Sequence, residues 1–356
     1  MSRYCGFPRT CLFAAEETHR VFAGLKEIAL KEGGGLKMNA IAGRRQIKWA
    51  QRFLVVLLRY TLLAAVAYQL LYPVLYMLSM ALRKPEEAID PSVIWVPKSL
   101  TLSNFADALR VMDFWDALQN SVLIGVGCGL FDVLSCSLVA YGFARFKFPL
   151  SGLMFSLVIL TLVVPIQTII LPLYNDMRYF DAFGLMKLTS VLTGGPESVS
   201  LVGSYWSFYL PSMLAMGLRA GLFIFIFRQF FKGMPNELED AAYMDGCGPF
   251  RTFFQVMLPN AKNAVITVFL FSFVWHWNEY YMSNLLLGNL KKNFAIAISS
   301  LRVDLQSVVN AQTISDPLLV VTRIQAGALL AILPLFILYL LTQRYFTDSI
   351  EHVGIK

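Results

Sequence analysis

The chain has 356 residues, of which 57% are hydrophobic and only 15% charged, and its mean hydropathy is +0.59. A soluble domain averages about 25% charged residues, and a globule of this length cannot hide so much apolar surface, which excludes a water-soluble enzyme and a disordered chain. The net charge of +7 does not mark a nucleic-acid binder, because the basic residues sit in short segments between apolar runs; an all-α polytopic membrane bundle is the class that fits.

Residues 1–37 form an N-terminal extension that is moderately apolar, carries Glu16, Glu17, Glu27 and Glu32 among its bases, and ends in Gly33-Gly34-Gly35. Two readings stand for it: an amphipathic surface helix, or a translation start placed upstream of the native one near Met38. Residues 38–52 are a basic lead, with Arg44, Arg45, Lys48 and Arg52 marking a cytoplasmic flank by the positive-inside rule. From residue 53 to 356 runs the transmembrane domain. Six apolar stretches in it are long enough to span about 30 Å of hydrocarbon at 1.5 Å per residue: residues 53–81, 118–143, 152–174, 209–231, 263–287 and 324–343. An even number of spans puts both termini in the cytoplasm, with 144–151 and 232–262 inside and 82–117, 175–208 and 288–323 outside. Pro73, Pro165, Pro172, Gly217, Gly221 and Pro334 interrupt these runs. Kinks of this kind serve ordinary packing or bend a helix around a pathway.

Cys128 and Cys136, eight residues apart in one run, read as small packing residues on a common helix face. His19, His276 and His352 are far apart and lack a companion metal or nucleotide motif, so no metal site, no catalytic residue and no cofactor is expected.

The most informative segment is 234–263, MPNELEDAAYMDGCGPFRTFFQVMLPNAKN. Asn236 is placed to cap a helix with Glu237, Glu239 and Asp240 in its first turn, where carboxylates favour the positive dipole end. Leu238, Ala241 and Ala242 supply an apolar stripe. Asp245-Gly246 stops that helix, Gly248-Pro249 starts a second, and Leu258-Pro259 ends it. Phe250, Phe253, Phe254 and Met257 give the second helix an apolar ridge. Such a ridge either docks into a groove on a partner or packs against the protein's own helix ends.

The run Asp240-Ala241-Ala242, Asp245-Gly246, Phe253 and Leu258-Pro259 resembles the EAA loop of permease subunits in binding-protein-dependent ABC importers. Asp240 stands where relatives have Glu, although Glu239 adjoins it, and Asn263 where they often carry Pro. AYGFARFKFPL after the second span, PIQTIILPLY in the third, FVWHWNEYY in the fifth and the tail QRYFTDSIEHVGIK are similar to the corresponding stretches of carbohydrate-type permeases, the shorter permease of a maltose-type sugar importer, with Ser349 where Gly is usual. The resemblance implies a subunit of the bacterial cytoplasmic membrane that pairs with a second permease around a pathway for a sugar. Two ATPase subunits, which bind ATP and Mg2+, dock on the EAA loops, and an extracytoplasmic sugar-binding protein delivers the carbohydrate. Residues Glu239 to Ala242, Asp245, Gly246, Phe253, Leu258 and Pro259 then form the ATPase-coupling lever, with Asp240 acting in partner contact and Gly246 in the bend. The membrane lipid is the other partner; no nucleic acid is expected.

Trp275, Trp277, Asn278, Glu279, Tyr280 and Tyr281 lie at the outer end of the fifth span. Aromatic faces and Asn or Glu side chains complement sugar C–H faces and hydroxyls, which makes the first five candidates for the substrate pathway. Trp and Tyr also form interfacial belts. Asn120 and Arg219 read as capping or snorkelling residues near span ends. The alternatives are a permease for peptides or amino acids and, less well supported, a secondary transporter, which would show buried mid-span charges and internal repeats; neither feature is evident in the sequence.

Overall fold

The computed structural model describes residues 51–88, 90, 92, 95–182, 184–288, 290–310 and 320–353, the side chains of 193, 308–310 and 344–353 excepted. The extension at 1–37 and the basic lead up to residue 50 lie outside the described residues, as do the final three residues of the tail. The chain divides into two units, Met1–Val74 and Leu75–Lys356. The described part of the first is the body of one helix, α1, Gln51–Ala81, whose 31 residues reach about 46 Å, enough to cross a bilayer.

The second unit holds thirteen further helices and a 3₁₀ turn at Pro85–Ala88 among its described residues, and no strand beyond two isolated bridges. They are α2 Ser103–Val111, α3 Phe114–Arg145, α4 Ser151–Leu160, α5 Ile166–Arg178, α6 Leu185–Thr193, α7 Trp206–Met213, α8 Ala220–Gly233, α9 Glu237–Met244, α10 Pro249–Asn260, α11 Lys262–Asn278, α12 Tyr280–Leu287, α13 Phe294–Asn310 and α14 Val321–Val353. Within α10, residues Phe253–Met257 widen into a π-helical turn. Helices α1, α3 and α14 are each long and apolar enough to cross a membrane, and α10 with α11 passes as a pair bent by 81°.

Three stretches that read as single spans are divided. The third is α4 and α5. Pro165 has no N–H to continue the helix and biases Val164 away from the helical region, so the chain restarts at Ile166. The fourth is α7 and α8, separated by 214–219, where Ala215 and Arg219 take positive φ of 56° and 62°. Gly217 in that break is tightly required: a Cβ there would sit 2.7 Å from Ser212 Oγ and 2.8 Å from Asp132 Oδ1. The fifth is α11 and α12, with Glu279 extended between them. Of the interrupting residues, Pro165 and Gly217 stand at breaks, whereas Pro73, Pro172, Gly221 and Pro334 lie within continuous helices.

Helix α3 is the axis of the second unit. Its glycines at 125, 127 and 129 each receive an aromatic ring: a Cβ would lie 2.8 Å from Phe273, 2.4 Å from Tyr209 and 2.9 Å from Phe269 respectively. Small residues let neighbours approach where lipid offers no hydrophobic drive of its own. Around α3, one cluster joins Tyr141, Phe227, Phe231, Phe253 and Met257, all buried, and another joins Phe273, Trp277, Phe294 and Leu301. Cys128 and Cys136 are buried and unbridged. Where α1 ends, Asn104 Nδ2 donates to the carbonyls of Ala81 at 2.9 Å and Arg83 at 2.6 Å, satisfying two groups a helix terminus leaves open.

Candidate functional site

The segment 234–263 folds as a helix–turn–helix. Helix α9 carries Glu237, Glu239 and Asp240 in its first turn. Asn236 does not cap it: its own backbone is helical and its side chain makes no capping bond, because its Oδ1 accepts instead from Arg145 Nη1. After Asp245, Gly246 takes φ +81°, the left-handed conformation that L side chains avoid, and Pro249 opens α10 at its first position. Helix α10 runs past Leu258-Pro259 to Asn260 before the bend into α11.

Arg145, the last residue of α3, braces this element at three points. Its Nη2 donates to the Met234 carbonyl at 2.9 Å, its Nη1 to Asn236, and its Nε lies 3.3 Å from Glu239 Oε2, both side chains being about nine-tenths buried. Sequence reasoning did not single out Arg145; its signal was the A-R pair of AYGFARFKFPL, at the end of the second apolar run. The acid that faces inward is Glu239, while Asp240 is exposed.

The two readings of the apolar ridge divide between its residues. Phe253 and Met257 turn inward and are buried, with Phe253 5.2 Å from Tyr141 and 6.3 Å from Phe231, centroid to centroid. Phe250 and Phe254 stay outside at 70% and 51% exposure. Helix α9 splits the same way. Glu239 and Ala242 face in, whereas Leu238, Ala241 and Met244, at helical spacing, form an exposed apolar strip. Leu258 is half-buried and Pro259 exposed.

The fifth-span candidates do not form one cluster, because residues two apart on a helix point to opposite sides. Trp277 is buried against Phe273 and Phe294, 5.4 Å and 5.3 Å between centroids. Trp275 faces α8, with its ring 5.6 Å from Phe223 and 5.7 Å from the Arg219 guanidinium. Asn278 donates to its own helix, at the Val274 carbonyl, 2.9 Å. Glu279 caps α12: its Oε1 accepts from the backbone N–H of Tyr281 at 3.0 Å and of Met282 at 3.3 Å, which gives this carboxylate a local partner. Tyr280 is exposed and meets Tyr281 edge to face. Trp277, Asn278 and Tyr280 border a cleft of about 250 Å³ against α13 and α14. Asn120 is a cross-brace, not a cap, accepting from Tyr205 Oη at 2.6 Å and donating to the Lys292 carbonyl at 2.7 Å. Arg219 immediately precedes α8, at the break between α7 and α8.

A further departure from the sequence reading lies in α3. Asp132, near the middle of α3, is fully buried, so an ionisable residue does stand in mid-span. It accepts from Ser272 Oγ at 2.6 Å, and His276 Nδ1 lies 2.9 Å from the Ser272 carbonyl. Ser135 Oγ donates to the Ser212 carbonyl at 2.6 Å, which ties α3 to the end of α7. The single Asp in the 118–143 run was the available signal, diluted there by twenty-odd apolar neighbours. Among the described residues no group of His, Cys, Asp and Glu has the arrangement of a metal site.

A helical bundle with at least three helices long and apolar enough to cross a membrane, and a helix–turn–helix braced at one end, has the build of an integral membrane protein. Residues 135–351 match the family described as "Binding-protein-dependent transport system inner membrane component", more than half of the chain, and the protein belongs to that family. This is the family to which the EAA-like loop and the span motifs point. The chain is 27% identical over 296 residues to the "Arabinooligosaccharides transport system permease protein AraQ" of Halalkalibacterium halodurans, covering 82% of this chain and 94% of that one. It is 24% identical over 286 residues to the "sn-glycerol-3-phosphate transport system permease protein UgpE" of Brucella abortus, covering 78% and 90%. Among solved structures it shares the fold of a chain in the "bacterial ABC transporter involved in the import of the acidic polysaccharide alginate", with a TM-score of 0.61 at 21% identity over 82% of this chain and 95% of that one.

Proposed function

We propose that this chain is one of two permease subunits of a bacterial ABC importer for a carbohydrate. It crosses the cytoplasmic membrane six times, the divided stretches α4–α5, α7–α8 and α11–α12 serving as broken spans, with both termini in the cytoplasm. An extracytoplasmic binding protein delivers the sugar, and two ATPase subunits, holding the ATP and Mg2+, drive transport. The observation that carries this reading is the helix–turn–helix at 234–263. Its inner face is locked to α3 through Arg145 and Glu239, while its outer strip of Leu238, Ala241 and Met244 is left uncovered. An amphipathic helix offering i, i+3 anchors suits a groove on a partner. A rigid brace on the other face transmits the partner's movement to α3, and α3 packs along α7, α8 and α11. The names of relatives in oligosaccharide and glycerol-phosphate uptake support a carbohydrate or polyol-type cargo.

The test is purification of the assembled complex and measurement of its ATPase activity with the binding protein and a panel of glycans and peptides. Stimulation by glycans is expected. Stimulation by peptides or amino acids alone would overturn the carbohydrate assignment.

A further inference from the structure

The breaks in the third and fourth stretches lie against each other. Together they border a cleft of about 280 Å³ lined by Thr161, Met216, Gly217, Arg219, Gly221 and Met282 among others. Arg219 is the only charged residue in that lining. Its side chain is exposed in this subunit, and among the described residues it has no ion pair; its guanidinium carbon lies 5.7 Å from the centroid of the Trp275 ring.

The depth of this arginine follows from helix lengths. Helix α8 has 14 residues between Arg219 and the helix–turn–helix, a rise of about 21 Å. Helix α7 adds 8 residues beyond the break, about 12 Å more. On the six-span reading proposed above, with α7 and α8 as the fourth span, Arg219 stands inside a hydrocarbon core of about 30 Å. A charged side chain at that depth is costly toward lipid and ordinarily faces a water-filled cavity or a partner charge. The backbone also commits it there, since φ +62° at a non-glycine residue is an uncommon conformation.

We propose that Arg219 and this cleft form an anion subsite of the transport pathway, so that the carbohydrate carried bears a carboxylate or a phosphate. This rests on the reading of the chain as a carbohydrate permease. The guanidinium fork matches a carboxylate or phosphate with two parallel N–H···O bonds, and the Trp275 ring, packed against Phe223, backs the guanidinium. A cleft just below the roughly 300–1,000 Å³ of drug-sized sites takes one acidic sugar unit at a time.

The test uses the complete complex in nanodiscs with its binding protein. ATPase stimulation is measured with oligogalacturonates, hexose phosphates and neutral oligosaccharides, for the wild type, Arg219→Asn and Arg219→Lys. Asn tolerates positive φ, so it removes the charge without straining the break. The expected result is stimulation by the uronates or the phosphates, the responding arm telling which acid is read. Arg219→Asn should raise the half-saturating concentration of that acidic glycan by about 10- to 100-fold, with Arg219→Lys falling between. Stimulation by neutral glycans only, or unchanged half-saturation in Arg219→Asn, overturns the anion subsite while leaving the carbohydrate permease intact. Loss of the second permease on purification of Arg219→Asn but not of Arg219→Lys would assign the charge to a subunit contact and overturn it as well. Stimulation by no carbohydrate removes the underlying reading together with the subsite.

Discussion

Arg145 and Glu239 should behave as a coupled, unequal pair. Arg145→Ala removes the one cation paired, among the described residues, with a Glu239 side chain that is nine-tenths buried, and withdraws donors from Met234 and Asn236. Stranding one member of a buried pair costs about 3–5 kcal/mol. Glu239→Ala leaves Arg145 with two acceptors still in place and should cost less, about 1–3 kcal/mol. The coupling energy across the double-mutant cycle should then be about 1–3 kcal/mol, because removing both avoids leaving either charge alone. Equilibrium unfolding of the four proteins in mixed micelles measures it, and glycan-stimulated ATPase activity of the four complexes supplies the functional readout. Both single variants should uncouple hydrolysis from glycan, Arg145→Ala more severely. Coupling below about 0.5 kcal/mol, the value of an exposed pair, or an equal cost for both single changes, would refute the brace.

Gly246→Val places a β-branched residue at φ +81°, at a cost of about 1–2 kcal/mol, and should abolish glycan-stimulated ATPase activity while insertion in the membrane, read by fractionation, is kept; Gly246→Asn should retain part of the coupling, and wild-type behaviour of the Val variant would remove the bend from the mechanism. Gly127→Leu drives a side chain into the Tyr209 ring and, as overpacking at a tight helix contact, should cost about 1–3 kcal/mol, seen as a lower melting temperature, whereas Gly142→Ala, with open space around it, should not. In the segment after α1, Glu87 accepts from the backbone N–H of Lys98 and of Ser99, both at 3.0 Å, and from the Ser99 hydroxyl. The Ser99 hydroxyl holds its carboxyl below the usual range, as the Lys98 ammonium does for Asp90. A carboxyl whose folded-state pKa is depressed in this way stabilises the loop above the ordinary carboxylate pKa of about 4, a contribution lost as pH falls through the lower folded value; the protection factors of the Lys98 and Ser99 amides, each rate being referred to the intrinsic rate at that pH, should fall only below about pH 4, and protection independent of acid would contradict the assignment.

The family was legible in the sequence because its signal is local. Asp245-Gly246 and Gly248-Pro249 dictate a bend whatever lies around them, and the structure has it there. The apolar stretches were legible as stretches, but not their divisions. Pro165 announces a break, whereas the 214–219 break depends on Gly217 meeting Ser212 and Asp132, residues distant in sequence or hidden in an apolar run. The direction of a side chain was the least legible feature. Glu239 and Asp240 are neighbours with the same chemistry, and only the position of Arg145, ninety-odd residues earlier, decides which one turns inward. The same holds for Trp275 and Trp277, whose proximity in sequence suggested one aromatic patch and whose helix sends them to different neighbours. Asn236 could have capped α9 by composition, but a guanidinium competed for its oxygen.

The central claim is that the exposed face of α9 carries the ATPase subunit. The most direct measurement puts a photo-activated cross-linking amino acid at Met244, which is 88% exposed, in the complex as it is expressed, and identifies what it captures with and without ATP. The account predicts a covalent adduct to an ATPase subunit whose yield changes on ATP binding, and no such adduct from the inward-facing Ala242. Capture of the binding protein or of lipid at position 244, with no ATPase adduct in either nucleotide state, would contradict it.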